Sequence, residues 1–247
     1  MAVILLDKFI NNPTLLIKMP ATNIRPYQIL SIQDDFPEEV KFFMPQAQGA
    51  GSITTLESII LIKLLRLTKA ENIFEYGTYK GITTRLLLEN YPHEVTSDLT
   101  EPVIYTLDLE STEGIKFIAS DEEHALTSLK SKRKYLDRKN SHLVQQLLSD
   151  SKKFDPTPYK DKFQFIFIDA NHEVSYVKND TEKSLEMLDK SKKSCIIWHD
   201  YGSKDFPELT EYVKHLDIGM NIYHVENTML AFCVSGIDET LLKTRKN

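Results

Sequence analysis

The sequence predicts an α/β fold: a doubly wound, mostly parallel sheet of seven strands with an antiparallel edge strand. Three observations predict it. Four short, apolar, β-branched runs each stop on an acidic residue: IFE at Glu75, IYTLD at Asp108, FIFID at Asp169 and IIWHD at Asp200. Such runs read as strands covered on both faces, and helix-period stretches between them supply the crossovers that parallel pairing needs. The last two apolar runs, Asn221–Val225 and Leu230–Val234, are joined too closely for a crossover and must pair antiparallel at the sheet edge.

Each element follows in order. Residues 1–50 mix short apolar pieces with Pro13, Pro20, Pro26, Pro37 and Pro45, and read as an irregular N-terminal extension or lid. Gln46 to Ser52 reads as a flexible loop. The main domain spans residues 51–240, and 241–247 form a C-terminal tail. It opens with a helix over Thr54–Leu67, whose Ile59, Ile60, Ile62, Leu64 and Leu65 give a broad apolar face. A strand at Asn72–Tyr76, a loop from Gly77 to Gly81 and a helix through Leu86–Leu88 come next. Strands are then expected at Val103–Leu107 and His142–Leu148, separated by a polar helical stretch over Asp121–Arg138. Phe163–Ile168 is a strand, and Val174, Val177, Leu185 and Leu188 mark the helix after it. Cys195–Trp198 is a strand, and a helix near Leu209–His215 leads into the terminal pair.

Bulk properties narrow the function classes. The 247 residues suit one α/β domain with a modest extension. A net charge of −6 argues against a nucleic-acid surface, which needs a concentrated basic face. The densest basic stretch, Lys130, Lys132, Arg133, Lys134, Arg138 and Lys139, reads as a solvated helix face. Cys195 and Cys233 lie in apolar runs without framework spacing, which suggests a reducing compartment. AVILL is too short for a signal-peptide core, and no apolar run approaches the ~20 residues that span a bilayer. The expectation is a cytoplasmic protein with no membrane or nucleic-acid partner, acting on a small molecule, with a homodimer as the default assembly.

In a parallel sheet the C-terminal strand ends share one rim, and ligands bind in the crevice outside it. Four carboxylates on one rim are costly to desolvate, so a cationic or hydroxyl-rich ligand is expected there. The loop after the first of these strands, Glu75-Tyr76-Gly77-Thr78-Tyr79-Lys80-Gly81, lacks the dinucleotide fingerprint G-x-G-x-x-G, and no G-K-[ST] follows to make a P-loop. E-Y-G-T-Y-K-G resembles motif I of the class I S-adenosylmethionine-dependent methyltransferases, in the subgroup written E-I-G-T-x-x-G. The resemblance implies a Rossmann-like methyltransferase fold and S-adenosylmethionine as cofactor. Glu75, Gly77, Thr78 and Gly81 would wrap its methionine part, Asp108 would hold the ribose hydroxyls, and Asp150 and Ser151 would lie near the adenine. Ser52 and Asp169 join that cofactor set.

The second half carries the more specific pattern. FIFIDANHEVSYVKND and CIIWHDYG resemble a small-molecule O-methyltransferase subfamily with I-D-x-x-H-x-x-x-Y and H-D-Y motifs, matched at Asp169, His172, Tyr176, Val177, Asp180, His199, Asp200 and Tyr201. The resemblance implies a divalent metal, Mg²⁺ or Mn²⁺, between Asp169 and Asp200 with His199 beside them. Converging carboxylates repel unless a proton or cation lies between them, and a nearby imidazole also admits Fe²⁺ or Zn²⁺. His172, just past Asp169, is the expected general base. Two departures stand out: Tyr201 takes the place of the Asn or Asp of catechol-type relatives, and Lys192-Lys193-Ser194 replaces the usual P-G-G turn. A cephalosporin-hydroxylase-like, metal-dependent tailoring enzyme and a non-catalytic cofactor-binding scaffold are the alternative readings.

Overall fold

Runs apolar on both faces do build the middle of the sheet. In the computed structural model, which describes residues 20–36, 39–42, 52–92 and 99–242, every residue of β2 (Ile73–Tyr76), β5 (Phe165–Ile168) and β6 (Ser194–Trp198) is buried. The other strands are β1 (Thr22–Ile24), β3 (Ile104–Asp108), β4 (Val144–Leu148), β7 (Tyr223–Val225) and β8 (Ala231–Ser235). Their order across the sheet is β1-β7-β8-β6-β5-β2-β3-β4. Only β8 runs antiparallel, against both β6 and β7. Helices α1 (Pro26–Leu30), α2 (Thr55–Thr68), α3 (Ile82–Glu89), α4 (Asp121–Lys130), α5 (Val174–Met187) and α6 (Pro207–Lys214) connect the strands. Two apolar cores lie on the two faces, one around Ile60, Leu64, Leu87 and Phe167, the other around Phe74, Ile166, Trp198 and Val213.

The doubly wound fold class is as the sequence predicts, with three differences in detail. An eighth strand closes one edge: Thr22, Asn23 and Ile24 pair parallel with Tyr223, His224 and Val225. It lies in the extension expected to be irregular, because a three-residue strand flanked by prolines leaves no periodic signal. The described part of that extension packs onto the domain. Ile24, Ile29 and Ile32 enter the core, and Gln28 Nε2 donates to the Leu242 carbonyl at 2.8 Å. Its remainder, most of the Gln46–Ser52 loop and the end of the C-terminal tail lie outside the described residues.

The third difference is the basic stretch. The helix expected to reach Arg138 stops at Lys130, and the chain turns back so that Lys134 N donates to the Lys80 carbonyl at 2.9 Å. Arg133 is thereby buried rather than solvated. Cys195 and Cys233 are free and buried, as apolar neighbours predict. Among the described residues no helix is long and apolar enough to cross a membrane.

Candidate active site

The C-terminal ends of β2, β3 and β5 open into a cleft. Its floor depends on Gly77. This residue has φ +89°, and a Cβ placed on it would stand 1.9 Å from the Asp169 carbonyl oxygen. Only glycine lets the loop run this close to β5 while adopting that backbone. Gly81 closes the turn with its N–H on the Thr78 carbonyl at 2.7 Å and caps α3 at φ +70°. Thr78 is anchored from below by a 2.7 Å hydrogen bond between its hydroxyl and that of Thr106.

Glu75 does not line the cleft. It is fully buried under the loop, where the Thr84 and Thr106 hydroxyls donate to Oε2 at 2.5 and 2.7 Å and Oε1 has no partner. Burial raises its carboxyl to about 8, with Asp169 and Asp108 adding to the shift against the two hydroxyls. The folded chain therefore keeps a proton that an unfolded chain releases near pH ~4.3. This contribution to stability is full below that pH and lost as the pH rises through about 8. The expected result is a wild-type melting temperature that falls between pH 6 and 9 relative to Glu75→Gln, by at least ~2 °C. Parallel melting curves for the two proteins would show that Glu75 does not hold this proton.

Asp108 does line the cleft, and three donors already hold its Oδ2: Ser128 Oγ at 2.6 Å, Tyr79 N at 3.1 Å and Arg133 Nη2 at 3.2 Å. Oδ1 accepts only from Leu109 N, at 2.9 Å, so lone-pair capacity remains for a ligand. Burial raises the Asp108 carboxyl against the pull of these donors. Arg133 also donates to the Tyr79 and Ser128 carbonyls, tying the glycine loop to the end of α4. It is a buried clamp that sequence reading took for surface charge. Arg133→Met should cost about 3 kcal/mol by leaving a buried carboxylate short of its partner, and weaken cofactor binding about tenfold; melts and calorimetry check both.

Around the cleft stand Ser52, Thr78, Ser149, Ser151, Asn171, Tyr176 and, from the segment between β3 and β4, Ile115, Phe117, Asp121, His124 and Ser128. Asp150 is not among them. Its Oδ1 accepts from Lys152 N at 2.9 Å, and its neighbours Ser149 and Ser151 face inward instead. Tyr201 and Asp180 are also outside; Asp180 is fully buried on α5, where burial raises it to about 7.

The cleft runs into a second pocket, lined by Asp169, His172, His199, Asp200, Ser120, Ser203, Asp205 and Phe206. Asp169, His199 and Asp200 each offer a donor atom within 4.8 Å of the others. His199 Nδ1 lies 3.3 Å from Asp169 Oδ1 and 2.9 Å from Asp200 Oδ2. His172 Nε2 is 2.8 Å from Asp200 Oδ2 and 3.7 Å from Asp169 Oδ1, yet makes no aligned hydrogen bond. Asp200 holds φ +58°, a left-handed conformation that Asp tolerates better than most residues and that recurs at functional sites.

Sequence reading missed Asp121 and Glu57. Both Asp121 oxygens serve His172, one accepting its backbone N–H at 2.9 Å and the other facing Nδ1 at 2.8 Å. Phe206 stacks on the other side of that ring, with centroids 4.2 Å apart. No local pattern links residues so far apart in sequence. Glu57 reaches His199 Nε2 at 3.6 Å from the first turn of α2. The capping box Thr54–Glu57 was readable, but not the direction of its carboxylate.

Burial opposes charge on both imidazoles, but their carboxylate neighbours prevail: Asp121, Asp169 and Asp200 raise His172, and Asp169, Asp200 and Glu57 raise His199, well above the ordinary histidine range. Asp169 and Asp200 are correspondingly lowered despite burial. The carboxylates around His172 thus favour its charged form over the free base. The expectation of a free general base holds only where those acids are neutralised.

A family model described as a methyltransferase domain matches residues 74–201, more than half of the chain. Among solved structures, the chain is similar to the SAH-bound methyltransferase PaMTH1 of Podospora anserina (16% identity, 75% of this chain and 80% of that one, TM-score 0.45). It is also similar to the O-methyltransferase TomG of Streptomyces achromogenes in complex with SAM (17%, 74% and 80%, TM-score 0.44). An O-methyltransferase from Bacillus cereus in complex with SAH aligns likewise (16%, 75% and 82%, TM-score 0.44). No curated protein matches by sequence. The match over residues 74–201 takes in the glycine loop, Asp108, Asp169 and the His199–Asp200 pair, and the chain belongs to this methyltransferase family.

Proposed function

We propose that the chain is an S-adenosylmethionine-dependent O-methyltransferase acting on a hydroxyl of a small molecule, assisted by a divalent cation. One observation carries this reading: the cleft floored by Gly77 and walled by Asp108 opens directly onto Asp169, shared with the pocket that holds His172, His199 and Asp200. Asp108 Oδ1 would take the ribose hydroxyls of a sulfonium nucleoside in the first space, and the second would take the acceptor.

The residues fit a cation. His199 Nδ1 shares a 2.9 Å hydrogen bond with Asp200 Oδ2, but His172 Nε2, 2.8 Å from the same oxygen, has no hydrogen-bond partner, and Asp169 Oδ1 stands 3.3 Å from His199 Nδ1, a convergence of donor atoms that one cation would satisfy. Asp169, His199 and Asp200 would hold it, and when bound it supplies charge that orients an acceptor hydroxyl and lowers its pKa. The chain's own groups do the rest. Asp121 keeps a proton on Nδ1 and holds the ring, and neutralising Asp169 and Asp200 removes the two acids that favour a second proton on Nε2, which then accepts the hydroxyl proton. The hydroxyl oxygen forms the new C–O bond as the S–CH₃ bond breaks, leaving S-adenosylhomocysteine and a methyl ether. His124, Ser120 and Phe206 wall the acceptor space.

The test is transfer of labelled methyl from S-adenosylmethionine onto a panel of polyhydroxylated small molecules, with and without chelator. Transfer that needs a divalent cation is expected; cofactor binding with no transfer to any acceptor would favour a scaffold. A second reading draws on His172, His199 and Asp200, whose two-histidine, one-carboxylate composition also suits a non-haem iron oxygenase. Iron-dependent oxygen uptake would select it.

A further inference from the structure

The His199 ring lies between carboxylates, hydrogen-bonded to Asp200 through Nδ1 and facing Glu57 with Nε2. Nδ1 faces Asp169 Oδ1 and Asp200 Oδ2 at 3.3 and 2.9 Å, while Nε2 faces Glu57 Oε2 at 3.6 Å. Glu57 is 1% exposed and cannot turn away: Oε2 accepts from Thr54 N and Oε1 from Met229 N, both at 2.7 Å. Histidines that bind metals characteristically direct their other N–H at a carboxylate, which fixes the tautomer. Glu57 makes no hydrogen bond to Nε2, and Nδ1 is hydrogen-bonded to Asp200 Oδ2 at 2.9 Å; with a cation in place of that hydrogen bond, the Glu57 charge would favour the proton on Nε2 and leave the Nδ1 lone pair to the cation. His172 repeats the arrangement in mirror sense. Asp121 occupies Nδ1 at 2.8 Å, which turns Nε2 toward Asp200 and Asp169. Two separate carboxylates, from α2 and from α4, thus aim two imidazoles at one pair of acids.

An all-oxygen site suits Mg²⁺ or Ca²⁺, whereas imidazole donors suit Fe²⁺, Co²⁺ and Zn²⁺. We propose that this centre, whose use of a cation rests on the function proposed above, is a mixed imidazole–carboxylate site selective for a transition-metal dication over Mg²⁺. Glu57 is the positioning residue for His199, the imidazole ligand, and Asp121 that for His172, the proton acceptor beside the centre. Of the two ions expected from the resemblance, the site thus disfavours Mg²⁺, and the reason lies in His199 and in the carboxylate behind it.

The full chain, stripped by chelator and free of cofactor, is titrated with Co²⁺ and with Mg²⁺ alone. Co²⁺ should bind at least ~100-fold more tightly than Mg²⁺, with a visible absorption band. Glu57→Gln should weaken Co²⁺ by about 10–100-fold and leave Mg²⁺ within ~3-fold. His199→Asp should shift the preference in opposite directions, losing Co²⁺ affinity and gaining Mg²⁺ affinity. Should the variants fold poorly, pulsed electron paramagnetic resonance of the Mn²⁺-loaded wild type still decides: nitrogen coupling from imidazole is expected, and its absence overturns the proposal. So does Co²⁺ affinity unchanged in His199→Asp, or a wild type that prefers Mg²⁺ or binds neither ion. S-adenosylmethionine titrated into the same wild-type samples separates the two claims. Cofactor binding without imidazole ligation sinks the metal assignment alone, and no cofactor binding sinks the functional reading instead.

Discussion

Gly77→Ala is expected to abolish cofactor binding and to lower the melting temperature sharply. The added methyl has nowhere to go. Its position lies 1.9 Å from the Asp169 carbonyl oxygen, 2.7 Å from the carbonyl carbon and 3.0 Å from the Ala170 Cα, all backbone atoms. A flexible side chain could swing aside, but a strand end held by the Asp169 N–H on the Tyr76 carbonyl at 3.0 Å cannot. The substitution also forces a side chain onto φ +89°, a conformation costing about 1–3 kcal/mol for a residue other than glycine. Either the loop lifts away from β5 or β5 shifts, and both open the cleft floor. Calorimetry should detect no binding of S-adenosylmethionine, and the melt should fall by roughly 5 °C or more. A variant that binds the cofactor within a few-fold of wild type would mean that the loop does not form the cofactor floor.

Asp200→Asn should separate binding from chemistry. Asparagine is nearly isosteric and tolerates the left-handed backbone at φ +58°, so the end of β6 should keep its path. Asp200 lines the pocket with the histidines but not the cofactor cleft. What is lost is one negative charge facing His172 Nε2 at 2.8 Å and His199 Nδ1 at 2.9 Å. Turnover should drop about 10³-fold, the scale expected when a cation's charge stabilisation is withdrawn, while cofactor affinity stays within ~3-fold. Steady-state rates and a binding titration on the same preparation check both halves. An unchanged rate would remove Asp200 from the chemistry; lost binding would show that the two pockets are one energetic unit.

What the sequence made legible follows the range of each signal. Period and composition mark β2, β3, β5 and β6 because their side chains are buried on both faces, and the acids that end those strands converge as parallel pairing requires. β1 was invisible, since three residues carry no period. Glu75 belongs to the glycine-loop motif, yet its side chain points beneath the loop rather than into the cleft, and residue type alone does not reveal a side. Of Asp150 and Ser151, both expected near the adenine, only Ser151 lines the cleft, with Ser149 beside it. Arg133 sat among lysines and looked solvated, but a turn after α4 buries it against Asp108. Asp121 and Glu57 were out of reach for another reason: each acts across the fold on a histidine that tertiary packing brings to it.

The most direct measurement is a calorimetric titration of S-adenosylmethionine into the wild-type chain and into Asp108→Ala/Arg133→Met, which removes both members of a buried pair and leaves no lone charge. The wild type is expected to bind one equivalent, and the double variant to stay folded while binding at least ~100-fold more weakly, as loss of charge-assisted bonds to the ribose requires. Equal affinity in the two proteins, or a wild type that takes up no nucleoside, would contradict the placement of the cofactor over Gly77 and beside Asp108.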